Sequence, residues 1–479
     1  MTELPKMSSA PPSKLAWLEG IRILAAVAIL LYHAQLYFTD YAYTPQPTGL
    51  LDNLQRIEAA NARLGATGFA ALFPLPLWFG FQFVDVFVLL SGFVTVLGIK
   101  DRPLQLKSFY QRRILRILLP FWTVVGLSYP ILWAIGHFTQ SYVPQPWSIF
   151  VAITFPLLYQ YDAEFLLPVS GPWWFIPLIL SLILVFPLLW LLLNRWGARN
   201  LLLVSLGLTL AYRTIAIFYL GGHPTYVSLP TPAGWSPFLS FLAHLATFVC
   251  GMVAGKLYLS KGGLSTQFPC RIFVGGILCY ALGFYCQFSR IGWIFADLLL
   301  PIGLVLCCMV LFQALEQQPQ IRQAMIILGS HSYSYFLIHN FVVDRTISLG
   351  IGKNLWLYYS MLPIMAVTTL IFSVLADYTT PLIRRIVSAI LRDLDYVLTT
   401  SSERRRSAWI PKVGEQVRYR GESGWTVLKV KRLLESKKIC LCQVSNNHWT
   451  HWLSAADLEP ESSRFSAGGS GRSTAQSVR

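Results

Sequence analysis

Ten runs of apolar residues long enough to cross a bilayer succeed one another along the chain, at about 15–38, 78–99, 114–136, 172–193, 200–220, 237–259, 271–288, 291–313, 327–347 and 355–378. The pattern predicts an α-helical polytopic membrane protein with about ten transmembrane helices, spread over residues 15–392. Residues 147–160 (WSIFVAITFPLLYQ) are apolar but short and broken by Pro156. They predict an interfacial or re-entrant piece, with eleven spans as the alternative count. Beyond Arg392 the pattern changes. Residues 393–408 contain the polar stretch SSERRRS and predict a linker. Residues 409–460 alternate apolar and polar positions between turns at Gly414, Gly421–Gly424 and Ser445–Asn447. That period predicts short strands closing into a small all-β, SH3-like domain. The two ends, 1–14 and 461–479, are polar and are expected to be disordered.

The first run, LAWLEGIRILAAVAILLYHAQLYF, carries Arg22 and His33 inside it. An ionisable side chain in lipid costs several kcal/mol unless it faces a partner or a wet cavity. Eleven positions at about 100° per residue return the two to one helix face, separated by roughly 16 Å. Two readings stand open: a functional polar stripe, or an Arg snorkelling to the membrane edge and a His satisfied by a backbone carbonyl. The second run, FVDVFVLLSGF, holds Asp85 and Ser91. Depth arithmetic places Asp85 and His33 both roughly 7–10 Å below the same membrane surface, which predicts that they pair. A carboxylate on the far nitrogen of an imidazole fixes its tautomer and makes it a general base. An isolated helix–helix hydrogen bond is the alternative, and Gly92 is expected to serve close helix packing. The third run opens FYQRRILRILLPFW, with Arg112, Arg113 and Arg116 at its start. Such a cluster either clamps phosphates or anchors the helix at the surface.

Composition narrows the class. Residues are 54% hydrophobic and only 13% charged, where a soluble domain averages about 25% charged. The net charge is +16, and the residues from Thr379 onward hold 17 Lys and Arg against 9 Asp and Glu. This basic excess predicts a cytoplasmic tail beside anionic membrane lipid, with no nucleic acid as partner. Basic residues gather in alternate loops, at Lys100–Arg113, Arg195 and Arg199, Lys256 and Lys261, Arg322 and Arg384–Arg392. The positive-inside rule then predicts a multi-pass cell (plasma) membrane protein with both termini cytoplasmic. Eight scattered cysteines without a CxxC or spaced external pairs predict neither a disulfide framework nor a metal site.

Four local motifs in order carry a resemblance over about residues 15–390. Arg22, ten residues and His33 resemble the first-helix mark of the acyltransferase-3 family of integral-membrane O-acyltransferases. Asp85 with Ser91-Gly92-Phe93 resembles its second-helix motif, and Arg113-x-x-Arg116 its third. Tyr333, Ser334, Tyr335 and His339 resemble its Ser-Tyr-Ser-x-x-Leu-x-His helix. The Trp-Phe helix is also similar, through Trp174, but the glutamate many members carry after it is missing, since Pro177–Ser181 offers no carboxylate. Asp377 and Pro381 stand, at a different spacing, where many relatives have Glu-Pro, and His331 is expected at a helix boundary.

The resemblance implies transfer of an acyl group, most simply acetyl, from cytoplasmic acyl-CoA (acetyl-CoA) to a hydroxyl of a glycan or lipid-linked acceptor at the outer face. His33, Asp85 and Arg22 are then the expected catalytic residues, and Arg112, Arg113 and Arg116 bind the coenzyme. His339, Tyr335, Ser91 and Trp174 meet the substrate. His33 acts either as general base or as carrier of a transient acyl-imidazole. The alternative from another class is a glycan or lipid-precursor transporter using Arg22, His33 and Asp85 as a proton relay.

Overall fold

The computed structural model describes residues 15–41, 44–72, 80–99, 103–158, 166, 169–227, 231–232, 234–263, 268–352, 354–408, 412–419, 422–434, 439–446, 450–454 and 458–460. The stretches 1–14 and 461–479, expected to be disordered, lie outside these residues. Among the described residues, 8 helices are long and apolar enough to cross a membrane. The helices are α1 (Ala16–Phe38), α2 (Leu50–Arg63), α3 (Phe83–Ile99), α4 (Leu106–Thr139), α5 (Ser148–Leu158), α6 (Phe175–Phe218), α7 (Leu245–Lys261), α8 (Pro269–Cys286), α9 (Trp293–Leu315), α10 (Pro319–Ser330), α11 (Ser332–Thr346) and α12 (Leu355–Ala408). Residues 393–408, expected to be a linker, continue the helical backbone of α12.

Ten apolar runs meet eight spanning helices because two of the runs share one helix across a turn and a third run is divided. The runs 172–193 and 200–220 join end to end in α6, whose one non-helical residue is Gly197 with φ 80° and ψ 168°. A straight helix of that length would reach about 66 Å, twice the ~30 Å hydrocarbon layer. Instead, Trp174 before its start and Leu210 and Tyr212 near its end pack on the same cluster around Phe238 and Trp293. The chain therefore doubles back at Gly197, where the left-handed φ suits glycine alone. The run 327–347 is divided at His331 between α10 and α11, each shorter than a full span. Residues 147–160 supply α5, 11 residues long and too short to cross.

Helix α1 lies inside the bundle against α3, α9, α10 and α11. Ile21, Ala25, Ala26, Ile29, Leu30 and Ala34 are wholly buried along it, and the three alanines let neighbouring helices approach. Helices α3 and α7 touch backbone to backbone. A methyl group added at Gly92 would overlap the Phe248 carbonyl, and one at Gly251 would overlap the Leu89 carbonyl. Helix α8 lies at the opposite extreme, with only 11% of its spanning window buried, and offers its apolar surface to lipid. Helix α4 keeps Pro120 and Pro130 within 34 residues. Its length of about 51 Å exceeds the hydrocarbon layer, so its first turns, which carry Arg112, Arg113 and Arg116, stand at the membrane edge.

The residues from Arg384 form a second unit. Its small antiparallel sheet has four strands, β1 (Gln416–Tyr419), β2 (Glu422–Leu434), β3 (Ile439–Ser445) and β4 (Thr450–Ser454), with a three-residue fifth, β5 (Leu458–Pro460). The order is β4-β3-β2-β1-β5. Trp425 and Val427 on β2, and Cys442 and Val444 on β3, alternate inward and meet Val417 and Leu458 in one core.

A buried ion pair fastens the second half of α6 to α9. Arg213, 1% exposed, donates from Nη2 to Asp297 Oδ2 at 2.8 Å and to the Trp293 carbonyl at 2.5 Å. Its guanidinium carbon also lies 5.0 Å from the Phe238 ring centre. Removing one partner of such a pair strands the other, so Arg213→Leu is expected to destabilise the protein by about 3–5 kcal/mol, and Arg213→Leu with Asp297→Leu by much less. Thermal unfolding of the purified variants in detergent checks this, and equal losses in the single and double variants would refute it.

Candidate functional site

The basic turn of α4 opens onto two adjoining cavities. The first, about 530 Å³, is lined by Arg112, Arg113 and Arg116 together with Gly98, Gln105 and Ser108. Arg112 is exposed and its Nη2 lies 3.5 Å from Ser108 Oγ. Arg113 reaches back to α3, donating from Nη2 to the carbonyls of Val94 at 3.1 Å and Thr95 at 3.2 Å. Gly98 makes room for it, because a methyl group there would overlap the guanidinium. The two carbonyls hold the guanidinium by one nitrogen, and its other N–H groups keep their capacity for an anion.

The second cavity, about 200 Å³, shares Arg113 and Arg116 and runs between α1, α3, α4, α6 and α11. Its polar lining includes Arg22, Glu19, Ser91 and Tyr333, and its apolar lining includes Phe87 and Phe175. Arg22 donates to both oxygens of Glu19, one turn earlier on α1, at 3.0 and 3.2 Å. Tyr333 donates to the Ile117 carbonyl at 3.0 Å. Of the residues singled out by sequence, Arg22, Ser91, Arg113 and Arg116 are thus brought to one cavity. Glu19 was readable in the LEGIR motif as an i, i+3 partner of Arg22.

His33 and His339 meet a little farther along α1. The rings are 5.0 Å apart between centres, and His339 Nε2 lies 3.3 Å from His33 Nδ1. Each Nδ1 also faces a backbone carbonyl, His33 that of Ile29 at 2.9 Å and His339 that of Phe336 at 2.5 Å. A carbonyl only accepts, so both Nδ1 atoms carry the hydrogen. In neutral rings, the lone pair of His339 Nε2 then receives a share of the His33 Nδ1–H, and His33 Nε2 is left as the basic atom. Beside this contact Asn340 Nδ2 donates to Tyr37 Oη at 3.2 Å, one helical turn beyond His33.

The expected pairing of His33 with Asp85 is corrected. Asp85 Oδ1 pairs with His244 Nδ1 at 2.6 Å, and both side chains are buried. The depth arithmetic fixed a level in the membrane but no azimuth. Asp85 is seven residues before Gly92, hence on the face of α3 that meets α7, and His244 is one turn before Phe248, which touches Gly92. His244 Nε2 also faces the Phe238 carbonyl at 3.1 Å. The signal for this partner was present at the start of the sixth apolar run, where His244 stands seven residues before Gly251.

Two other expectations meet different surroundings. Trp174 packs in the cluster with Phe238 and Trp293, and Tyr335 is 2% exposed; neither lines the two cavities. His331, expected at a helix boundary, does stand between α10 and α11, and its Nδ1 pairs with Asp377 Oδ2 at 2.5 Å. Ser334 Oγ donates to the other oxygen of Asp377 at 2.5 Å, so the shifted Asp377 ties α12 to α11. Among the described residues, no group of three or more His, Cys, Asp or Glu is arranged to hold a metal ion.

A family model described as an acyltransferase domain matches residues 15–378. No curated protein and no solved structure matches the chain.

If Asp85 and His244 act as one unit, Asp85→Ala and His244→Ala are expected to be strongly non-additive, with an interaction of about 0.5–3 kcal/mol. Asp85→Ala and His33→Ala should add within about 0.3–0.5 kcal/mol. Double-mutant cycles on the unfolding free energy in detergent measure both, and coupling confined to the His33 pair would restore the original assignment.

Proposed function

The chain belongs to the acyltransferase-3 family, and from that premise we propose that it transfers an acyl group, most simply acetyl, from acyl-CoA to a hydroxyl. The acceptor in this reading is a glycan or a lipid-linked precursor at the outer face of the plasma membrane, and both termini and the coenzyme are cytoplasmic. The observation that carries it is a row of guanidiniums leading into the membrane toward an imidazole with one basic nitrogen. Arg112, Arg113 and Arg116 suit the phosphates of coenzyme A, because planar guanidiniums bind phosphate bidentately. Arg22, held by Glu19, and Ser91 line the way for the pantetheine arm. The basic loops on the Arg112 side support the cytoplasmic assignment through the positive-inside rule.

His33 is the reacting base in this scheme. Its Nε2 takes the proton of the acceptor hydroxyl as that oxygen attacks the thioester carbon. The carbon–sulfur bond then breaks, and the departing thiolate recovers the proton from Nε2. His339 is a positioning residue, since its Nε2 and the Ile29 carbonyl together hold the hydrogen on His33 Nδ1. Asp85 is released from the catalytic set, because its carboxylate serves His244. Tyr335 and Trp174 remain candidates for the acceptor side, with support from their motifs alone.

Membranes carrying the wild-type chain are expected to move radiolabel from acetyl-CoA into a glycan or lipid fraction. His33→Ala should lower turnover by about 10²–10⁴-fold, the usual contribution of a general base. Arg113→Ala should chiefly raise the KM for acetyl-CoA, by about tenfold or more for a lost charged hydrogen bond. Label retained on His33 itself would turn the base into an acyl carrier. Failure of the purified protein to bind coenzyme A would sink the enzyme reading and favour transport.

A further inference from the structure

The cavity that receives Arg22, Arg113 and Arg116 stops short of the two histidines. Its apolar wall includes Phe87 from α3 and Phe175 from α6, with ring centres 6.4 Å apart. Behind them stands Phe336 from α11, 5.6 Å from Phe87 and 5.3 Å from Phe175. Phe336 is in turn 5.6 Å from the His339 ring, which touches His33. These spacings are those of packed aromatic rings. Phe175 and Phe336 are 5% and 2% exposed, so the space behind the wall is filled. Three rings from three helices therefore separate the arginine-lined cavity from the imidazole pair.

We propose that Phe87, Phe175 and Phe336 form a filter that sets the length of the acyl group transferred, restricting the enzyme to short chains. The inference rests on the acyl-CoA reading given above. A thioester entering past Arg22 presents its acyl end to these rings first. An acetyl group brings one methyl and the thioester carbonyl past the rings on its way to His33 Nε2. Each further methylene must be fitted among side chains already in contact, in an interior that packs like an organic crystal. Apolar pockets discriminate by about 10–200-fold for a single methylene. Phe87 is the ring to alter first. It is the least buried of the three, it faces the cavity, and truncating it opens volume continuous with the space the thioester occupies.

The test uses the full-length protein in detergent or nanodiscs, with acetyl-, butyryl- and hexanoyl-CoA as acyl donors and unreactive thioether analogues of the same lengths for calorimetry. Wild type should favour acetyl over hexanoyl, in turnover and in affinity. Phe87→Ala and Phe175→Ala should raise the hexanoyl-to-acetyl ratio at least tenfold while coenzyme A itself binds as in wild type. Phe81→Ala, whose ring packs on Tyr32 at 5.3 Å away from the cavity lining, should leave the ratio unchanged. Phe87→Leu serves if the alanine variant does not fold. An unaltered chain-length profile in variants that still bind coenzyme A would overturn the filter and leave the acyl-CoA reading standing. Loss of coenzyme A binding in wild type would overturn that reading and the filter together.

Discussion

A side chain that carries charge or a labile proton, once inside an apolar layer, has to find its partner within the protein. That constraint organises this molecule more than apolar burial does, because lipid is as apolar as the helix surfaces and gives them little reason to associate. Eight ionisable groups described above are matched in pairs: Arg22 with Glu19, Asp85 with His244, Arg213 with Asp297, His331 with Asp377. Three of the four join different helices and fix their rotation against one another. Backbone contact at Gly92 and Gly251 does the same for α3 and α7 without any charge. What the pairing leaves over is chemical capacity. The outer N–H groups of the α4 arginines and the Nε2 of His33 are where it remains.

These leftovers are arranged in layers along α1. An open basic vestibule comes first, then a narrower cavity with Arg22 and Ser91, then a dry stack of phenyl rings, then the imidazole pair. Polarity thus falls and rises again along the helix axis. Helix α1 is suited to hold both polar ends because its alanines bring α3, α10 and α11 close around it. Helix α11 contributes to three of the four layers, through Tyr333, Phe336 and His339 in succession.

Much of this was legible in sequence, and the illegible part has a physical cause. Helical period places Arg22 and His33 on one stripe, and the same period would have offered Glu19, three residues before Arg22, as its partner. Strand alternation in 409–460 foretold the small sheet. Local periodicity says nothing of which neighbour a helix face meets. Asp85 found its partner 159 residues away, and His33 met a ring 306 residues away, through rotations that only packing decides. Apolar length likewise cannot reveal the interruption inside the run 327–347. The division falls at His331, whose Nδ1 is bonded to Asp377 on another helix, while the turn at Gly197 falls between two runs where the sequence already parts them. The phenyl layer was invisible for the same reason, since Phe87, Phe175 and Phe336 are ordinary apolar letters in three separate runs.

The bonds of α1 also bear on how the chain enters the membrane. A ribosome makes His339 306 residues after His33. Through that interval α1 must rest in lipid without α10 or α11 beside it. Arg22 carries its own counter-ion on the preceding turn, and His33 has its Nδ1–H on the Ile29 carbonyl of the same helix. Both groups are therefore partly neutralised or satisfied within α1 itself, before α11 arrives. The helix holds its own polar groups while it waits, and the contact with His339 is a late arrival at a residue already held in place.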